Sequence, residues 1–199
     1  MTEPEFKLWD RHHLLPLVSF ADIESSGLHE GSFPLQFGWC GLDLKTSVVL
    51  VKPEPQWTPD LYDDGSFEIH GIPYETAVAE GLPAREVAAI LNRELAGKAV
   101  FSDSDKWDSY WAMKLAEATD IPLRFGLDPF DKVIETFGPV ADSWCITRYH
   151  RILEAVDIFY PHTHRADEDA QRMAALTRMI LDREWCEWLL ERQAGIVVG

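Results

Sequence analysis

The stretch SFADIESSGL, Ser19 to Leu28, decides how the rest of the chain is read. With Val18 before it, the run is strand-like, and a period of two sends Val18, Phe20, Asp22 and Glu24 to one face. Two carboxylates side by side on one face repel, and burial forces one of them to keep its proton. A hard divalent cation, Mg²⁺ or Mn²⁺, resolves that conflict through carboxylate oxygens. A strand that ends in the solvated turn SSG accounts for the same pair without any ion. The stretch alone leaves both readings open.

Outward from it, the apolar run begins at Leu14, but Pro16 interrupts it, so the strand proper starts near Leu17. Leu35–Asp43 and Ser47–Lys52 read as an antiparallel pair, and Pro53–Gly71, rich in Pro, Asp and Gly, reads as loop. A helix opens at Leu82-Pro83-Ala84, carries Val87, Ile90, Leu91 and Leu95 as its apolar stripe, and ends at Gly97. KAVFS is a short buried strand, Asp105–Thr119 a helix, and Pro122–Leu127 a further strand. Helical patterns fill Asp128 to Gln193. Strands first, then strand–helix alternation, then helices predict an α/β fold with a mixed sheet flanked by helices.

The chain has 199 residues, 46% hydrophobic and 12% aromatic, which predicts one globular domain. No apolar run approaches the roughly 20 residues of a membrane span. The N-terminal MTEPEFKLWDRHH lacks a secretory core, so the expected location is cytoplasmic, with no membrane partner. Three scattered cysteines form neither a disulfide framework nor a zinc set. The net charge of −16 speaks against a grip on long nucleic acid, which calls for a basic stripe. A short or single-stranded end, with metal ions supplying local positive charge, remains compatible with it.

Two distant stretches bear on the opening pair. VFSDSDKWDSYW places Asp108 after Trp107 at the start of a helix that follows a buried strand. HTHRADEDAQRMAAL places His164 and Asp169 about another helix start, where Ala166, Ala170, Met173, Ala174 and Thr177 form the inward stripe. Asp169, one turn before Met173, points inward on that stripe, and an inward acid requires a partner. Trp185, Trp188 and Leu189 make a second helical stripe, read as core.

Taken in order, DIESSGL, HGI (His70–Ile72), SDSDKWD and HRADEDA resemble the motifs of the DEDDh 3′→5′ exonucleases. These are the DnaQ-like proofreading subunits, RNase T and oligoribonuclease. The resemblance spans Val18 to about Leu181. It implies an RNase H-like five-stranded mixed sheet flanked by helices, and a single exonuclease domain over residues 1–199, with its motif-bearing core at about 17–181 and a C-terminal helix at 182–194. It also implies two divalent cations, Mg²⁺ or Mn²⁺, held by Asp22, Glu24, Asp108 and Asp169, with His164 as general base; the H-x₄-D spacing selects His164 over His162. The implied activity is release of nucleoside 5′-monophosphates from single-stranded 3′ ends of RNA, DNA or short oligonucleotides. Ser25, Gly27, Leu28, His70 and Trp107 are the implied substrate contacts. Homodimers among the relatives extend the expectation of a dimer to this chain.

The second motif departs from the family pattern, with Ser104 where Asn is common, Asp103 where His or a neutral residue is common, and Trp107 for Phe. Asp103 and Asp105 stand to repel a passing phosphate chain. The acidic balance tilts the expectation slightly toward RNA and short oligonucleotides. A non-catalytic binding module on the same fold, and a metal phosphohydrolase of small phosphoesters, are the rival readings.

Overall fold

Residues 17–197 are described by the structure, a computed structural model. The N-terminal stretch read above and Pro16 lie outside these residues. Strand β1 (Val18–Ser25) sits in the middle of the sheet, antiparallel to β2 (Pro34–Cys40) and parallel to β5 (Ala99–Ser102). With β3 (Thr46–Lys52), β4 (Leu82–Pro83) and β6 (Leu127–Pro129), the order is β4-β3-β2-β1-β5-β6. The mixed α/β sheet flanked by helices expected from the sequence is therefore present. It carries a sixth strand because two residues, Leu82 and Pro83, pair in parallel with Val51 and Lys52.

Central placement explains the composition of β1. A strand paired on both edges and covered on both faces reads as a nearly continuous apolar run. Phe20 and Val18 enter a cluster with helices α5 (Lys132–Phe137), α6 (Ser143–Ile146), α7 (Tyr149–Phe159), α8 (Ala166–Leu181) and α9 (Arg183–Val197). Ala21 and Ile23 point the other way, into a cluster with α2 (Tyr74–Glu80), α3 (Ala84–Leu95) and α4 (Asp105–Thr119). The alternation thus assigns Asp22 and Glu24 to the face that α8 covers, at the end of the strand where the apolar packing stops.

The inward stripe predicted for α8 is buried at every position: Ala166, Ala170, Met173, Ala174 and Thr177. Trp185 and Leu189 are fully buried and Trp188 nearly so, so the second tryptophan stripe is core. All three cysteines are buried free thiols. Two corrections concern loops. Pro53–Gly71 contains a helix, α1 (Asp64–His70), capped by the Asp63 carboxylate accepting from Gly65 N–H. The strand placed at Pro122–Leu127 begins only at Leu127, because Phe101 pairs with Asp128 and Ser102 with Pro129. Among the described residues no helix is long and apolar enough to cross a membrane.

Candidate active site

The strand β1 ends in a register shift between Glu24 and Ser25, and its partner across β2 at Asp22 is Gly38. A Cβ at Gly38 would lie 2.1 Å from the backbone carbon of Ala166 and 2.2 Å from the Asp167 nitrogen. The first turn of α8 therefore rests directly on the β2 backbone beside Asp22. That close approach brings Asp169, 2% exposed, onto the face carrying Asp22 and Glu24. Thr163 N–H donates to Asp169 Oδ1 at 2.9 Å, fixing the carboxylate. His162 Nε2 stands 3.3 Å from Asp169 Oδ2, without the alignment of a hydrogen bond, and that oxygen has no hydrogen-bond partner.

Asp108 arrives from the other side. The parallel strand β5 ends at Ser102, and the chain passes through Asp103 and Ser104 into α4, in whose first turn Asp108 lies. Ser102 Oγ–H donates to Asp108 Oδ2, and Ser104 N–H donates to Ser102 Oγ at 3.2 Å. Asp108 is fully buried, yet its Oδ1 has no hydrogen-bond partner. Buried carboxylate oxygens left unpaired are costly, and a cation is the usual partner.

Among the described residues, candidate ligand atoms fall into three groups, the atoms of each lying within 4.8 Å of one another: Asp22, Glu24 and Asp169; Asp22, Asp103 and Asp108; and His162, His164 and Asp169. Asp22 belongs to the first two. The four acids singled out in the sequence thus converge with His164. The donor set, carboxylate oxygens with imidazole at the margin, suits a hard divalent cation.

Electrostatics say the same. Burial, and then the charges of Asp108, Glu24, Asp103 and Asp169, push the Asp22 carboxyl well above the usual range. Burial, then Asp169 and Asp103, push Glu24 up to about 7. Asp108 is also raised, by burial first and against the Ser102 hydrogen bond. These groups bind protons more tightly folded than unfolded, so their contribution to stability falls as pH rises. Without metal, thermal stability is expected to decline from about pH 4.5, the ordinary value for Glu24, through about pH 7. Saturating Mn²⁺ should reverse that slope, since metal replaces protons. Melting curves from pH 5 to 8 with EDTA or Mn²⁺ check this; identical slopes would contradict it.

The acids floor a cleft of about 400 Å³ whose walls include Ser25, Leu28, Ser66, Ile69, His70, Trp111, His162 and His164. That volume lies in the range of small-ligand sites. Leu28 is 63% exposed at the mouth, so it is not core. His70 accepts from Ile72 N–H at Nδ1 (3.1 Å), which leaves Nε2 as the donor to Ser25 O (3.0 Å). Both ring nitrogens are therefore engaged in holding the end of β1 against α1. Burial, first, lowers the pKa of the ring, in keeping with the neutral tautomer. Gly27 sits under the His29 ring, which a Cβ would meet at 2.7 Å. Trp107 stacks on Trp111 at 5.6 Å and packs against the α3–α4 cluster; of the two rings, Trp111 reaches the cleft.

His164 adopts φ 56°, a left-handed conformation that turns the extended chain into α8. His162 lies two residues earlier, its ring centroid 4.3 Å from that of His164. The H-x₄-D spacing selects His164 over His162, although an i, i+2 spacing in extended chain does place two rings together. Gly38 carries a signal of its own in the sequence: a glycine inside the strand pattern LQFGWC is the mark of a close backbone approach. Trp111 and the α1 residues Ser66 and Ile69 carried no such mark.

The fold has solved counterparts. The moderately thermophilic exonuclease I of Methylocaldum szegediense is similar to 91% of this chain with a TM-score of 0.59 at 15% identity. E. coli exonuclease I in complex with a dA16 oligonucleotide gives 0.60 over 89% at 15% identity, and the same enzyme with dT13 gives 0.58 over 91% at 16%. The likeness establishes the fold. The chain spans less than half of those proteins, 45% of the first and 43% of the other two. No protein-family model matches the sequence, and no curated protein does.

Proposed function

We propose that this chain is a divalent-metal-dependent 3′→5′ exonuclease domain acting on single-stranded ends and releasing nucleoside 5′-monophosphates. The observation that carries the proposal is the convergence of Asp22, Glu24, Asp108 and Asp169 at one end of β1, with Asp22 in both acidic groups. The likeness of the fold to exonuclease I, solved with single-stranded oligonucleotides, supports the same reading. The domain is taken as residues 1–199, with the motif-bearing core at about 17–181 followed by the C-terminal helix.

Asp22, Glu24 and Asp169 would hold one ion, and Asp22 with Asp108 a second. When bound, Mg²⁺ or Mn²⁺ supplies charge stabilisation for the attacking and leaving oxygens. His164, at the rim of the cleft beside Asp169, takes the proton of the attacking water. The Thr163 N–H bond to Asp169 Oδ1 fixes the backbone next to that histidine. Leu28, exposed at the mouth, offers an apolar surface to the terminal base, and Trp111 lines the same cleft. His70 positions Ser25 rather than meeting substrate itself. A preference for RNA over DNA rests on the net charge of −16 alone. A cytoplasmic location, expected from the sequence, and assembly as a homodimer, implied by the family resemblance, belong to the same proposal.

Digestion of 5′-labelled single-stranded RNA and DNA of several lengths with Mn²⁺ tests the reading. A ladder shortening one nucleotide at a time from the 3′ end is expected, and binding without cleavage would favour the non-catalytic module. His164→Ala should lower kcat about 10²–10⁴-fold, the usual worth of a general base, while Mn²⁺ still binds. Wild-type turnover in that variant would remove His164 from its role.

A further inference from the structure

We infer that Asp103 is a fifth carboxylate ligand, binding a divalent cation together with Asp22 and Asp108. This rests on the metal-dependent reading above. Asp103 follows the last residue of β5, and its carboxylate lies within 4.8 Å of ligand atoms of Asp22 and Asp108. An acidic cluster alone is ordinary at a surface. Here a second observation points to a cation: Asp108 in the same group is fully buried, lines the cleft and leaves Oδ1 without a partner. His162 lines the same cleft, but its ligand group is the one with His164 and Asp169, not the one with Asp103.

Geometry separates Asp103 from its neighbour. Asp103 lines the cleft, whereas Asp105 lies in the first turn of α4 and is outside all three ligand groups. From the sequence both read as acids that repel a phosphate chain; the fold divides their roles. Four carboxylates balance two divalent cations, and a fifth leaves the loaded site with an excess negative charge. Asp103 therefore favours the cation at some cost in attraction for an incoming phosphodiester. The motif position where this chain departs from the resemblance thus sets metal affinity.

Calorimetric titration of the metal-depleted protein with Mn²⁺ tests this without any nuclease assay. Wild-type protein should take up two ions. Asp103→Asn should weaken one of them about tenfold or more and leave the other within about twofold. Asp103→Glu, which keeps the charge on a longer arm, should retain more affinity than Asn. Asp105→Asn, removing the same charge outside the cluster, should leave both sites unchanged. Melting curves of each variant confirm a folded protein. Two wild-type sites with unaltered affinities in Asp103→Asn would overturn the inference alone, as would an equal loss in Asp105→Asn, which marks a general field. No Mn²⁺ uptake by wild-type protein would overturn the metal reading and this inference with it.

Discussion

Replacing Asp22 with Ala should abolish nuclease activity, by about a thousandfold or more, and at neutral pH should raise the melting temperature of the metal-free protein. Both effects follow from one position. Asp22 supplies oxygens to both acidic groups, so its loss removes a ligand from each ion at once. Several kcal/mol of charge stabilisation depend on those ions, which corresponds to at least about 10³ in rate. In the absence of metal the same carboxylate is a liability, because burial and the charges of Asp108, Glu24, Asp103 and Asp169 all work against its ionised form. Removing it relieves that repulsion. Opposite signs for activity and stability are the mark of a residue kept for chemistry rather than for packing. The measurement is a pair: turnover of a labelled oligonucleotide with Mn²⁺, and melting in EDTA. Turnover within tenfold of wild type would remove Asp22 from the site, and a lowered melting temperature would refute the account of its electrostatics.

Gly38→Ala should be nearly as damaging, though no atom of Gly38 touches the cleft. Its Cβ would lie 2.1–2.3 Å from backbone atoms of Ala166 and Asp167, and backbone cannot swing aside as a side-chain tip can. The first turn of α8 must lift, carrying Asp169 away from Asp22 and Glu24 and disturbing the turn at His164. Overpacking costs about 1–3 kcal/mol, and this case belongs at the upper end or beyond. For a chain of this size that lowers Tm by about 6–12 °C. Activity should fall in parallel, with loss of the ion at Asp22, Glu24 and Asp169 before the ion at Asp22 and Asp108. Melting and Mn²⁺ titration of the variant check both parts. A variant with wild-type stability would mean that α8 does not seat on β2 as described.

What could be read from the residues, and what could not, divides along physical lines. The period of two in Val18–Ser25 placed Asp22 and Glu24 on one face because alternation is a local property of a strand. The small-residue stripe of α8 placed Asp169 inward for the same kind of reason. Helix α1 escaped because none of its residues is buried. With no buried apolar stripe it leaves no periodic trace, and Pro, Asp and Gly around it speak for loop. The role of Gly38 depends on register across β1 and β2 and on where α8 lands, and neither is set by neighbouring residues. His162 and Asp103 were visible as residue types, but only the convergence of β1, β5 and α8 decides which acids and rings share a cleft. Trp107 and Trp111 differ by one helical turn, and the packing of α4 on the sheet determines which ring reaches the opening.

The most direct test is anomalous diffraction from crystals soaked in Mn²⁺. One peak is expected among Asp22, Glu24 and Asp169 and a second among Asp22, Asp103 and Asp108. Crystals showing no peak beside Asp22, or Mn²⁺ held only by His162 and His164, would contradict it.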